Sequence, residues 1–161
     1  MDIYEFAMKM EKDGEGYYRE LAEKTVNVGL RNIFTMLADA EVVHFAIFQK
    51  MQQRQGVKAP RTKILSQVKN VFQKMKEEEK DTDSAITQTA LYKKAQQVEK
   101  ESRDFYLKEA DEVKDPDQKE IFLRIADEEK KHYLILEGIT DFVSRPQTWL
   151  ENPEWYHLEE Y

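Results

Sequence analysis

His44 stands three residues after Glu41, and His132 three residues after Glu129. Each pair has a further glutamate 30 residues upstream, Glu11 and Glu99. Residues at i and i+3 lie on one face of a helix, so a carboxylate and an imidazole at this spacing reach the same ion. Several carboxylates gathered in a dry interior repel one another, and each loses its solvation. Two divalent cations would cancel the four charges, and neutral imidazoles would complete the coordination. The pattern therefore points to a pair of metal ions held by Glu11, Glu41, His44, Glu99, Glu129 and His132. The plainer alternative is a buried polar network without metal. Either histidine alone would suit it; both together, each beside a core-facing glutamate, suit it poorly.

Three further groups bear on this chemistry. Tyr18 and Tyr106 lie seven residues, two helical turns, beyond Glu11 and Glu99. A hydrogen bond to a ligand carboxylate and simple aromatic packing are equal readings for them. Asp39 and Asp127 precede the motif glutamates by two residues, which turns them off the ligand face toward the helix surface or a supporting role beside the ligands. His157 also follows a glutamate, Glu154, by three residues, but it sits among Trp155, Tyr156 and Leu158 outside the duplicated helical pattern, so a third metal site is not expected there. With Trp149, that aromatic group is expected to pack on the bundle or on a partner subunit.

Helices must position these residues. Ile3, Ala7, Met10, Gly14, Tyr17 and Leu21 recur at three- and four-residue steps, which predicts a helix over about 2–27. A second is expected over about 30–54, after a break at Asn27-Val28-Gly29 and ending near Gly56 and Pro60. A third is expected over about 84–113, capped by Asp83 or Ser84, and a fourth over about 117–143, after Asp115-Pro116. Residues 55–83 form a long crossover with a short amphipathic helix at about 61–76, and 144–161 form a tail. Two hairpins joined by one long crossover between helices 2 and 3 are the ferritin-like form of an all-α four-helix bundle, here a single domain over 1–161. A shift of 88 residues superposes the hairpins without a gap: Glu11 falls on Glu99, Tyr18 on Tyr106, Phe34 on Phe122, Glu41 on Glu129 and His44 on His132. A duplicated hairpin packed about a pseudo-two-fold axis brings matching residues together at the centre.

Composition agrees. Charged residues make up 35% and apolar residues 40%, with only 5 Gly and 4 Pro, a balance that favours long amphipathic helices. The net charge of −7 argues against nucleic acid as a partner. The absence of Cys excludes disulfides, thiolate zinc sites, iron–sulfur clusters and thiol catalysis. No apolar run approaches a membrane span, and the first residues lack the pattern of a signal peptide, so a cytoplasmic protein without a membrane partner is expected.

The run Met10-Glu11-Lys12-Asp13-Gly14-Glu15-Gly16-Tyr17-Tyr18 resembles the first-helix motif of the rubrerythrin-like branch of the ferritin-like superfamily, and Ala38-Asp39-Ala40-Glu41-Val42-Val43-His44 its second. Glu99 with Tyr106, and Ala126-Asp127-Glu128-Glu129-Lys130-Lys131-His132, resemble the second pair; the likeness spans about residues 4–140. It implies a di-iron site on the six residues named above and oxidation of Fe(II) by peroxide or dioxygen, with a role in oxidative stress. Manganese or zinc also suits these donors. Two departures stand out. Without Cys there is no rubredoxin domain, which leaves electrons to an external donor, and the family's extra glutamate three residues after the third-helix ligand is Ser102 here. The leading expectation is thus a homodimeric di-iron oxidoreductase. The alternatives are a non-catalytic iron-binding or storage protein, and a metal-stabilised helical module that binds a partner.

Overall fold

A computed structural model describes residues 2–54, 56, 64, 67, 68, 70, 71, 73, 74 and 89–144. Four helices carry the fold: α1 (Ile3–Lys24), α2 (Val28–Gln52), α3 (Thr89–Glu112) and α4 (Pro116–Ser144). Among the described residues there is no strand, and no helix is long and apolar enough to cross a membrane. The architecture is a ferritin-like four-helix bundle. The expected cap at Asp83 or Ser84, most of the crossover and its short helix, and the tail with Trp149, Trp155 and His157 lie outside the described residues.

The helix ends follow from local chemistry. Asp2 caps α1, its carboxylate accepting from the Glu5 N–H at 2.8 Å. The first break falls at Thr25–Asn27, earlier than the Asn27–Gly29 predicted. Asn27 is the reason: its side chain accepts from the Leu30 N–H at 2.9 Å, so α2 starts at Val28 and Gly29 lies in its first turn. Thr25 Oγ1 donates to the Leu21 carbonyl at 2.6 Å, satisfying one of the last acceptors of α1. Pro116 occupies the first position of α4, where its missing N–H costs nothing, and Asp115 accepts from the Asp117 N–H at 2.9 Å.

Within each hairpin the helices pack extensively, and the hairpins meet through α1 against α3 and α2 against α4. The apolar core is divided in two. One part joins Tyr18, Leu21, Phe34, Leu37, Ala95 and Leu136; the other joins Ala7, Phe48, Tyr106, Phe122, Ile125 and Ala126. The shift of 88 residues exchanges these parts: Tyr18 becomes Tyr106, Phe34 becomes Phe122, and Ala7 becomes Ala95. Each apolar end is thus built from the turn end of one hairpin and the open end of the other. The level between them is where the glutamates and histidines lie.

The ends differ in how they are closed. Ile64 and Val68, from the crossover, are buried in the first part with Phe142 and Val143 from the last turns of α4. At the opposite end Ile3, Tyr4, Met8 and Phe105 pack half-buried, and the Tyr4 hydroxyl donates to Gln118 Oε1 at 3.0 Å.

A carboxylate and histidine centre between two apolar plugs

On α2 the stripe Leu37, Glu41, His44, Phe48 is buried throughout, and on α4 so is Ile125, Glu129, His132, Leu136. The apolar members hold each stripe against the opposite hairpin and carry the polar pair inward with it. Glu11 on α1 and Glu99 on α3 face the same level. All six side chains are at least 97% withdrawn from solvent, and all six come together.

They form two overlapping groups. Glu11, Glu41, His44 and Glu129 present one donor atom each within 4.8 Å of one another, and so do Glu41, Glu99, Glu129 and His132. Glu41 and Glu129 belong to both groups, Glu11 and His44 to one, Glu99 and His132 to the other. His44 Nδ1 lies 3.1 Å from Glu129 Oε1 and 3.4 Å from Glu11 Oε2. His132 Nδ1 lies 3.2 Å from Glu41 Oε1 and 3.3 Å from Glu99 Oε1. The rings are near-parallel, with centroids 5.9 Å apart and planes 12° apart. Two donors held at ~2.1 Å from one ion and at right angles stand about 3 Å apart, so these separations, which also suit hydrogen bonds, are compatible with co-ligands.

The tyrosines cross the bundle. Tyr18 on α1 donates its hydroxyl to Glu99 Oε1 on α3, and Tyr106 on α3 donates to Glu11 Oε1 on α1 at 2.6 Å. Both rings also belong to the apolar parts, Tyr106 packing tilted against Phe48 with centroids 5.1 Å apart, so packing and hydrogen bonding coexist. Asp39 lies outside, accepting from Arg19 at 2.9 Å, and Asp127 is about half exposed with Lys131 at 3.9 Å. Neither reaches the centre.

The electrostatics show what the arrangement demands. Burial, then repulsion from Glu11 and Glu99, pushes Glu41 well above the usual carboxylate range; burial, then Glu11, Glu41 and Glu99, does the same to Glu129. Burial also raises Glu11 and Glu99, but His44 with Glu41 and Tyr106, and His132 with Glu129 and Tyr18, together outweigh it, leaving Glu11 low and Glu99 at about 2. Burial acts to lower His44, yet Glu11 holds it above its ordinary value. Both phenols are driven well up by burial and by the acids they face, so they stay protonated as donors.

Three buried atoms at this level have no hydrogen-bond partner: Glu11 Oε2, Glu99 Oε2 and His132 Nε2. Orphaned carboxylate oxygens in a dry interior are costly, and here one lies in each group. Two divalent cations fit the donors: four carboxylates match their charge, and each group supplies one imidazole and three carboxylates.

Two features were not read from the sequence. Gly14 sits against Glu41: a Cβ there would come within 3.0 Å of Glu41 Oε2. Its place three residues after Glu11 was the available signal. Glu128 is buried, 3.3 Å from Lys131 Nζ, although its register beside Glu129 suggested an outer face; Ala40 holds the matching position in the other hairpin.

Fold and site together define a ferritin-like helical bundle with a buried carboxylate–histidine group able to hold a metal pair. Comparison with protein families gives a match to the rubrerythrin family model over residues 2–140. The chain belongs to the rubrerythrin family. Searches among curated proteins and among solved structures gave no significant match.

Proposed function

We propose that this protein is a di-iron oxidoreductase that oxidises Fe(II) with peroxide or dioxygen and draws its electrons from a separate donor. The observation that carries the reading is the pair of overlapping ligand groups sharing Glu41 and Glu129. Such sharing suits two ions held side by side, and a redox metal in both positions would meet the need of a two-electron oxidant. When bound, a pair of irons supplies the two electrons that cleave the O–O bond of peroxide. Family membership supports iron among the metals these donors accept. With no Cys in the chain, re-reduction falls to another protein or small donor.

The chain's own residues have defined tasks in this reading. Glu41 and Glu129, members of both groups, would be deprotonated in the loaded protein and would contribute to holding either ion. Glu11 and Glu99 each serve one position, and the Tyr106 and Tyr18 hydroxyls fix their orientation. The two apolar plugs keep bulk water from the centre.

The test is elemental analysis of anaerobically loaded protein, followed by mixing with peroxide. The expected results are two irons per chain and loss of ferrous iron, assayed by chelation, at least about tenfold faster than for free Fe(II). Two irons with no acceleration would reduce the protein to a binding role; no iron at all would remove the metal reading itself.

A further inference from the structure

Six aromatic rings run in contact from the surface to an outer carboxylate of the centre. From Tyr106 the Phe122 ring is 6.3 Å away between centroids, and Tyr4 lies 6.4 Å beyond Phe122. Phe48 sits beside this step, 5.1 Å from Tyr106 and 5.7 Å from Phe122. Phe105 meets Tyr106 at 5.6 Å and the exposed Phe6 at 4.8 Å. All these separations are those of rings in contact. Tyr106, fully buried, donates its hydroxyl to Glu11 Oε1 at 2.6 Å. Tyr4 is half-buried and donates to Gln118 Oε1 at 3.0 Å.

The matched end is built differently. The shift of 88 residues pairs Tyr4 with Tyr92, Phe6 with Lys94 and Phe122 with Phe34. Tyr92 stacks on Phe34 at 5.5 Å but is fully buried, so it has no face toward solvent. Among the described residues no ring contact joins Tyr18 to Phe34 or Tyr92; the Tyr18 ring meets His132 instead. Of the two phenols bound to outer acids, only Tyr106 is therefore linked through rings to a second phenol near the surface.

Electron count gives this link a use. Reduction of dioxygen to two waters takes four electrons, and a pair of irons passing from Fe(II) to Fe(III) supplies two. The remainder must cross the protein. Phenols give up single electrons; phenylalanine rings do not, and Phe122 and Phe48 fill the gap between the two phenols with polarisable π density.

We propose that Tyr4 and Tyr106 form a relay that carries electrons one at a time from a donor at this end of the bundle to the centre. Tyr106 gives an electron to the oxidised centre and its hydroxyl proton to Glu11 Oε1, leaving a phenoxyl. Tyr4 returns an electron to Tyr106, the proton comes back from Glu11, and Tyr4 releases its own proton to solvent. The phenoxyl on Tyr4 then takes a hydrogen atom from a one-electron, one-proton donor, a class for which ascorbate is the probe. Each cycle delivers one electron inward and one proton to solvent. The inference rests on the iron and dioxygen reading above, but it concerns how electrons arrive and not which residues hold the metal.

Ferrous-loaded protein exposed to dioxygen without a donor tests it. Rapid-freeze EPR follows the phenoxyl, and a nitroso spin trap with peptide mass spectrometry places it. The expected results are an adduct on Tyr4 and a phenoxyl signal that ascorbate erases. In Tyr4→Phe, iron content and ferrous loss are kept, the adduct leaves that peptide, and the phenoxyl, stranded on buried Tyr106, survives at least about tenfold longer. Tyr92→Phe, the matched substitution at the closed end, changes neither readout. An adduct on Tyr17 or Tyr92 in place of Tyr4, or an unchanged lifetime in Tyr4→Phe, would overturn the relay. Iron oxidised with no phenoxyl sinks the relay alone; ferrous iron that dioxygen leaves untouched sinks the reading beneath it, and the relay falls with it.

Discussion

Across the pseudo-two-fold axis, Glu11 answers Glu99, Glu41 answers Glu129, His44 answers His132 and Tyr18 answers Tyr106. Away from the axis the hairpins part company. Ala40 stands where the other hairpin has the buried Glu128, Val43 where it has Lys131, and Gly14 where it has Ser102. Identity at the centre, where each group takes one acid from the opposite hairpin, is what two equivalent ion positions require. Divergence begins at the residues next to the ligands, where each hairpin meets its own surroundings. The contrast suggests two near-equal ligand groups set in unequal approaches.

The strongest way to break that equivalence is to remove both imidazoles. His44→Ala with His132→Ala should abolish stoichiometric metal, measured by elemental analysis after equilibrium loading; two retained ions would end the assignment. Next come the glutamates. Glu41→Gln or Glu129→Gln touches both groups and should weaken both ions by at least about a hundredfold, whereas Glu11→Gln or Glu99→Gln should weaken one ion selectively. Titration calorimetry separates the two patterns.

The tyrosines sharpen the comparison further. Tyr18→Phe and Tyr106→Phe should each cost about 10–100-fold in metal affinity, by similar amounts, since each removes one hydrogen bond to one outer acid. A large inequality would show that the two groups are not equivalent. Gly14→Ala should reduce affinity about tenfold by pressing on Glu41, while Ser102→Ala leaves metal affinity unchanged.

The gentlest probe is pH acting on metal-free protein. Glu41 and Glu129 titrate above 4.5 and His44 above 6.5 in the folded state, so their stabilising contribution is present at lower pH and is lost as pH rises through the raised values. Glu11 and Glu99 titrate below 4.5, so theirs is present above 4.5 and lost as pH falls. Metal-free protein should therefore melt a few degrees lower on the alkaline side of a mildly acidic optimum. Loaded protein should lose affinity toward acid, because protons compete for the same oxygens. Thermal melts with and without metal check both slopes.

Much of this centre was legible because helical geometry is periodic. The step from Glu41 to His44 fixes a shared face, and the flanking Leu37 and Phe48 fix that face as inward. The single offset of 88 residues paired the hairpins without coordinates. What periodicity cannot convey is which helix lies across from which. The sharing of Glu41 and Glu129, and the tie from Tyr18 to Glu99, depend on contacts between residues over 80 positions apart. The burial of Glu128 depends likewise on the tertiary surroundings, not on its register. Asn27 was read as part of a loop, though as a cap it belongs to the start of α2.

The tyrosine ties have a consequence for assembly. Tyr18 sits in the first hairpin and serves an acid of the second; Tyr106 does the reverse. Neither half of the chain carries a finished site, so metal capture would have to follow docking of the halves, and an ion pair held there would act as a latch that slows their parting. A fragment holding one hairpin could complete the constellation only by meeting its own copy, with each copy lending the other its phenol.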